Sequence, residues 1–154
     1  MERILRSKLL RGRFVGVTLK QSRRMRAVRG RGNKSTELRL RLALVRSGLK
    51  GWCIGPKQVP GRPDFYFPEA KVAVFVDGCF WHGCWRCGHY PAKNSAFWKA
   101  KIQRNRLRDR RMSQKLRRSG MAVVRFWEHE LGESLEECIH IVNCVLRRET
   151  RRIR

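Results

Sequence analysis

Five consecutive apolar residues, Val72 to Val76, stand between Pro68-Glu69 and Asp77-Gly78 and leave no polar face. A run this short and apolar on both sides predicts a strand buried in the middle of a sheet. Just before it, Asp64-Phe65-Tyr66-Phe67 predicts a second strand, and the Pro68-Glu69 turn makes the two antiparallel neighbours. Met121 to Trp127 predicts another buried strand, and Trp52 to Ile54 a short one ahead of a loop marked by Pro56, Pro60, Gly61 and Pro63. Elsewhere the period is helical. Asn33, Ser35 and Thr36 offer N-caps, Glu37 suits the positive helix end, Leu38, Leu42, Val45 and Leu49 repeat, and Gly48 can stop the turn. Ser95 to Arg118 predicts a long helix ended by Gly120. Leu135 to Leu146 predicts a closing helix with Leu135, Ile139, Val142 and Leu146 on one face. The order α-β-β-α-β-α predicts a mixed α/β layered domain.

Length fits one such domain: of 154 residues, 35–150 form it, preceded by a basic arm over 1–34 and followed by a basic tail, 151–154. Charge then narrows the partner. Lys and Arg number 37 against 12 Asp and Glu, a net +25, while 42% hydrophobic content excludes a disordered polycation. No window is long and apolar enough to span a membrane, and the basic N-terminus lacks the apolar stretch of a secretory leader. The basic residues are not confined to one amphipathic helix, so a phosphate backbone is favoured over a membrane surface. Residues 1–34 hold twelve basic side chains and Glu2, with no sustained period, which predicts a flexible arm that settles on DNA. Lys99 to Arg118 holds ten against Asp109 alone, whereas Glu128, Glu130, Glu133, Glu136 and Glu137 crowd a region expected to face away from DNA.

Candidate chemistry lies in the remaining polar residues. Without a secretion signal, six Cys point to thiols or a metal. Cys53, Cys138 and Cys144 have apolar neighbours and are expected in the core. Cys79, Cys84 and Cys87 have Cys-x4-Cys-x2-Cys spacing that suits Zn²⁺; His89 is close enough to be the fourth ligand, but His129, after the strand ending at Trp127, is the better prospect. There are three Asp. Asp64 opens a strand and Asp77 closes one, positions where paired carboxylates suit Mg²⁺ and phosphodiester cleavage; Asp77 before Gly is also an ordinary turn former. Asp109 lies on the stripe Trp98, Ile102, Asn105, Asp109, Met112, Leu116, facing inward either as part of a site or as an acceptor for an Arg. His82, left free by a zinc site, is either a general base or a hydrogen-bonded structural histidine. Phe80, Trp81 and Trp98 either stack on bases or form a small core over the zinc.

Pro63-Asp64-Phe65, Phe75-Val76-Asp77-Gly78-Cys79-Phe80-Trp81-His82, Phe97-Trp98, Lys101-Ile102, Asn105, Arg108-Asp109-Arg110-Arg111 and Trp127-Glu128 resemble the very short patch repair (Vsr) endonucleases, in order and across roughly residues 21–132. Ser22 to Arg26 and Glu37 look like that family's arm and first helix. The resemblance implies a restriction-endonuclease-like fold of the PD-(D/E)xK type: a mixed central sheet flanked by helices, with a structural zinc. It implies a Mg²⁺-dependent nick in double-stranded DNA beside the thymine of a T:G mismatch. By position, Asp64 would hold Mg²⁺ with the Val76 backbone, His82 would act near the attacking water, and Glu37 and Asp109 would support the cluster. Asp77 stands where some members have His, so ligand and base roles both stay open there. Phe80, Trp81 and Trp98 would wedge into the stack, with Arg23, Met25, Arg26 and Asn105 as further DNA contacts. Cys79, Cys84, Cys87 and His129 would hold Zn²⁺, with His where relatives often have Cys.

Residues 1–20 have no counterpart in that family; a DNA-binding arm and the product of an upstream start codon both fit them. A bacterial, cytoplasmic, nucleoid-associated monomer is expected, with mismatch-repair proteins or a cytosine methyltransferase as partners by analogy alone. Two rival readings remain: a related nuclease of other DNA specificity, as in restriction, and a non-enzymatic zinc module binding nucleic acid. The second leaves Asp64 and the polar pair on the long helix unexplained.

Overall fold

The computed structural model describes residues 9–10, 13–14, 18 and 37–153. Its elements are β1 (Leu9–Leu10), β2 (Arg13–Phe14), α1 (Glu37–Arg46), β3 (Cys53–Ile54), β4 (Phe65–Phe67), β5 (Val72–Asp77), α2 (Cys79–His82), α3 (Ser95–Arg118), β6 (Ala122–Trp127), α4 (Glu128–Glu133) and α5 (Leu135–Ile153). Within the segment expected to be a periodless arm, β1 and β2 pair antiparallel, Leu9 opposite Phe14. The expected caps Asn33, Ser35 and Thr36, and the expected DNA contacts Arg23, Met25 and Arg26, lie outside the described residues.

The main sheet has the order β3-β4-β5-β6. β4 and β5 are antiparallel, Phe65 opposite Val74, whereas β5 and β6 are parallel, Phe75 opposite Arg125. The parallel pair needs a long crossover, and α3 supplies it. Side chains alternate across β5. Val72 and Val74 join Val124, Phe126, Leu40, Leu44 and Val142 on one face; Ala73 and Phe75 pack with Leu116 and Met112 of α3 on the other. Leu40 and Leu44 are fully buried, each contributing about 1.5–3 kcal/mol of transfer free energy.

Two expectations about packing need correction. On α1 the buried side is Leu40, Ala43 and Leu44, while Leu42 and Val45 are 48% and 60% exposed. Leucines occur on several sides of this helix, so periodicity offers two stripes, and the stripe with small Ala43 is the one buried. Cys138 is buried as expected, but Cys53 is only half-buried and Cys144 is exposed beside His140. Two short helices were also not anticipated. α2 follows Asp77-Gly78 directly, and α4 starts where the Glu130 carboxylate accepts the Trp127 N–H at 2.6 Å. α5 extends through Ile153, past the predicted end at Leu146, because Glu149 is buried and held by Arg148 and Arg152. The last arginines also suit the negative end of a helix dipole. Among the described residues no helix is long and apolar enough to cross a membrane.

Candidate active site

Alternation that buries Phe75 against α3 also places Asp77 on that side, at the carboxyl end of β5. Asp64 precedes β4 by one residue and shares the side of Tyr66, which packs there too. Continuing the β4–β5 register puts Pro63 opposite Val76, and Pro has no N–H to pair with it. The Val76 N–H instead donates to Asp64 Oδ2 at 2.7 Å. A carboxylate is thereby fixed beside a strand end whose carbonyl receives no N–H from Pro63. These are hard oxygen donors, the chemistry that suits Mg²⁺.

A cleft of about 530 Å³ opens at this point, lined among others by Glu37, Asp64, Val76, Asp77, His82 and Asp109. Residues scattered over 73 positions of sequence thus meet in one cavity. His82, the last residue of α2, points Nδ1 at Asp109 Oδ2, 2.7 Å away, with Asp77 Oδ1 at 3.4 Å. Burial is the largest influence on Asp109 and opposes its ionisation. The His82 hydrogen bond, the imidazole charge and the Arg108 and Arg125 guanidiniums together outweigh it and hold the carboxyl below its ordinary value. An ionised carboxylate can only accept, so His82 Nδ1 carries the proton and a neutral ring keeps its lone pair on Nε2.

Asp77 is less open than its position suggests. Arg125, from the middle of β6, donates Nε to Oδ2 at 2.7 Å and a second N–H to Oδ1. Arg125 is not among the residues expected in the site; its signal in the sequence is a lone charge inside Ala122–Trp127.

Cys79, Cys84, Cys87 and His129 bring their ligand atoms within 4.8 Å of one another. The three sulfurs lie 3.3, 3.6 and 3.5 Å from His129 Nδ1. A tetrahedral zinc with ordinary Zn–S and Zn–N bonds requires a sulfur–nitrogen separation of roughly 3.6 Å, so the cluster is compatible with zinc. Burial, with the neighbouring Cys87 and Cys84 thiols, pushes Cys79 up to about 12. Burial opposes ionisation of Cys84 too, but hydrogen bonds from Cys87 and Arg86 overcome it and lower that thiol. A cation at this point would favour the thiolate at Cys79. Gly88 makes the loop possible, because a Cβ there would collide with the Cys84 backbone. His89 lies outside the cluster, its ring 5.6 Å from Phe80.

Phe80, Trp81 and Trp98 form a half-buried aromatic group, with Phe80–Trp81 and Phe80–Trp98 centroids 5.1 and 5.2 Å apart. Asn105 donates its amide to the Trp81 carbonyl at 2.8 Å, tying α2 to α3. Gly83, with φ of 65°, lets the chain turn where any side chain would strike Ile102.

The family model described as DNA mismatch endonuclease Vsr matches residues 17–87. Type II nicking enzyme V.NaeI of Lentzea aerocolonigenes is 43% identical over 114 residues, covering 71% of this chain and 68% of that protein. Type II nicking enzyme V.NmeDIP of Neisseria meningitidis serogroup C is 38% identical over 123 residues, 75% and 81% of the two chains. The DNA mismatch endonuclease Vsr of Escherichia coli K12 is 37% identical over 110 residues, 70% and 69%. The chain belongs to the Vsr family. It is therefore a DNA endonuclease, and DNA is its substrate. In this Vsr-family chain the matched segment runs from the basic N-terminal region through the strand pair and α2 to the last cysteine of the cluster.

Proposed function

We propose that the protein nicks double-stranded DNA beside the thymine of a T:G mismatch, using Mg²⁺ held by Asp64 and the Val76 carbonyl, on a PD-(D/E)xK-type core. The observation that carries this reading is the single cleft in which Asp64 and the His82–Asp109 pair stand together. Pro63-Asp64 supplies the first half of the motif; β5 has no lysine at its end, and the His82–Asp109 pair takes over the proton chemistry. Bound there, Mg²⁺ would draw negative charge from the scissile phosphate and acidify the attacking water. Asp109 holds the His82 ring by Nδ1, so Nε2 would take the proton from water as the new phosphorus–oxygen bond forms. The bond to the leaving sugar oxygen breaks, and that oxygen would take a proton from solvent. Glu37 lines the same cleft and would order the waters around the metal. Arg125 donates to both Asp77 oxygens and neutralises its charge, which favours a supporting role for Asp77 over that of a metal ligand.

Zn²⁺ at Cys79, Cys84, Cys87 and His129 would be structural, since four protein ligands leave no open position. Phe80, Trp81 and Trp98 would enter the base stack at the mismatch, where unstacking costs least. Arg23, Met25, Arg26 and Asn105 would add contacts to the duplex. The working form would be a monomer, a reading supported by the lining of the cleft by residues of one chain.

A second reading keeps the nuclease and changes its target, favoured by the names of the two nicking enzymes above. Assaying purified protein with Mg²⁺ on T:G, matched and methylated duplexes of varied context separates them. Nicking confined to T:G duplexes supports mismatch repair; equal nicking of matched DNA supports the second reading.

A further inference from the structure

We propose that Arg125 is a positioning residue for the nuclease reaction: its guanidinium fork on Asp77 reserves the His82 N–H for Asp109. The inference rests on the role of His82 given above and assigns the setting of its ring to a residue outside the expected site.

A charge in the middle of a half-buried strand is costly unless partnered. Arg125 is partnered by design of the sheet. Phe75 and Arg125 are opposite in the parallel register, and alternation puts Phe75, Asp77 and Arg125 on the same side. The guanidinium lies 4.6 Å from the Phe75 ring centroid, closes two N–H groups on Asp77, and gives a third to buried Ser113 Oγ at 3.3 Å. Its nearest approach to Asp109 is 4.0 Å, too long for a hydrogen bond. Arg125 thus saturates one acid of the cleft and leaves the other to His82.

That division matters because His82 Nδ1 has one hydrogen and two carboxylates within reach. Asp77 is the more buried of the two acids and would keep an uncompensated charge if Arg125 were removed. His82 Nδ1 lies 3.4 Å from Asp77 Oδ1, and turning its N–H toward Asp77 would take the ring off Asp109 and swing Nε2 out of line. The same four side chains also line a second cleft of about 420 Å³ behind the first. The ring thus borders both clefts, and the carboxylates on either side of Nδ1 decide which way it faces.

Arg125→Met should lower kcat roughly 10- to 100-fold, the usual result of a misplaced reacting group, with KM and metal-free DNA affinity within about twofold of wild type. Removing the stranded acid as well, in Asp77→Asn/Arg125→Met, should recover about tenfold of that loss. Arg125→Lys, which keeps charge and loses the fork, should fall between, and carries the comparison if the Met variant does not fold. A second readout needs neither metal ion nor DNA: in ¹⁵N-labelled protein the His82 Nδ1 proton should exchange slowly, more quickly in Arg125→Met, and slowly again in the double variant. A raised KM with unchanged kcat would make Arg125 a phosphate contact and overturn the proposal. So would a double variant no better than the single, or an imidazole proton indifferent to Arg125. If wild type fails to nick any T:G duplex, the proposed function fails, while the imidazole signal still decides the role of Arg125.

Discussion

At the scale of residues, the His82–Asp109 contact has a consequence for stability that is separate from catalysis. Asp109 has a folded pKa below that of an unfolded Asp, about 3.9. Its ionised form is favoured by folding, so the contribution is fully present above about pH 4 and disappears as pH falls through the lower, folded value. Asp109→Asn should therefore melt below wild type at neutral pH, and the two melting curves should converge in acid. A gap that stays constant down to pH 2–3 would mean that shape, not charge, holds Asp109. Asp64, Asp77 and Asp109 were legible as candidates from scarcity, since three Asp in a chain of net charge +25 ask for a reason. His82 was legible from the cysteine spacing that leaves it free, and the place of Asp109 in the site only from the family resemblance. Their division of labour was not. An Asp before Gly reads as ligand or turn, and only the Arg125 fork, arriving from 48 residues away, shows that Asp77 is already bound.

At the scale of elements, α2 and its following loop are held from two sides. The Asn105 amide fixes α2 to α3, and the Cys3His cluster joins the loop to His129 at the start of α4. Spacing revealed the three cysteines and the strand end revealed His129, because both are local signals. α2 and α4 were invisible to periodicity at four and six residues long. We expect one tightly bound Zn²⁺ per chain. Cys84→Ser/Cys87→Ser should lose it and melt about 10 °C or more lower, since a structural zinc contributes several kcal/mol to a domain of this size. Metal analysis finding no zinc would remove the clip from the account. With α2 so fixed, Trp81 meets Phe80 and Trp98 in one aromatic group, which would act as the wedge on the proposed reading. Trp81→Ala should reduce discrimination between T:G and matched duplexes more than it weakens binding. Equal loss on both duplexes would show the aromatics to be core.

At the scale of the whole molecule, binding and cutting rest on different residues. On the proposed reading, the ten basic side chains between Lys99 and Arg118 and the twelve in residues 1–34 would supply affinity through phosphate contacts, which carry no sequence information. Affinity should fall by about 10³-fold or more between 50 and 200 mM salt, for cleavage-dead variants as much as for wild type. The strand order around β5 was legible in part: the hairpin followed from its turn, but the parallel docking of β6 depends on α3 crossing the sheet, a long-range packing event. The buried side of α1 was likewise set by what it packs on, as Leu42 shows by being exposed. The central claim is that the cleft holding Asp64 does the cutting. It is tested most directly by single-turnover nicking of a strand-labelled T:G duplex by wild type and Asp64→Asn, each with and without Mg²⁺, beside their affinities for the same duplex. Wild type should nick the thymine strand only with Mg²⁺, and Asp64→Asn should bind equally well yet cut at a trace of that rate. Near-normal nicking by Asp64→Asn, or undiminished nicking by wild type without the metal, would contradict the account.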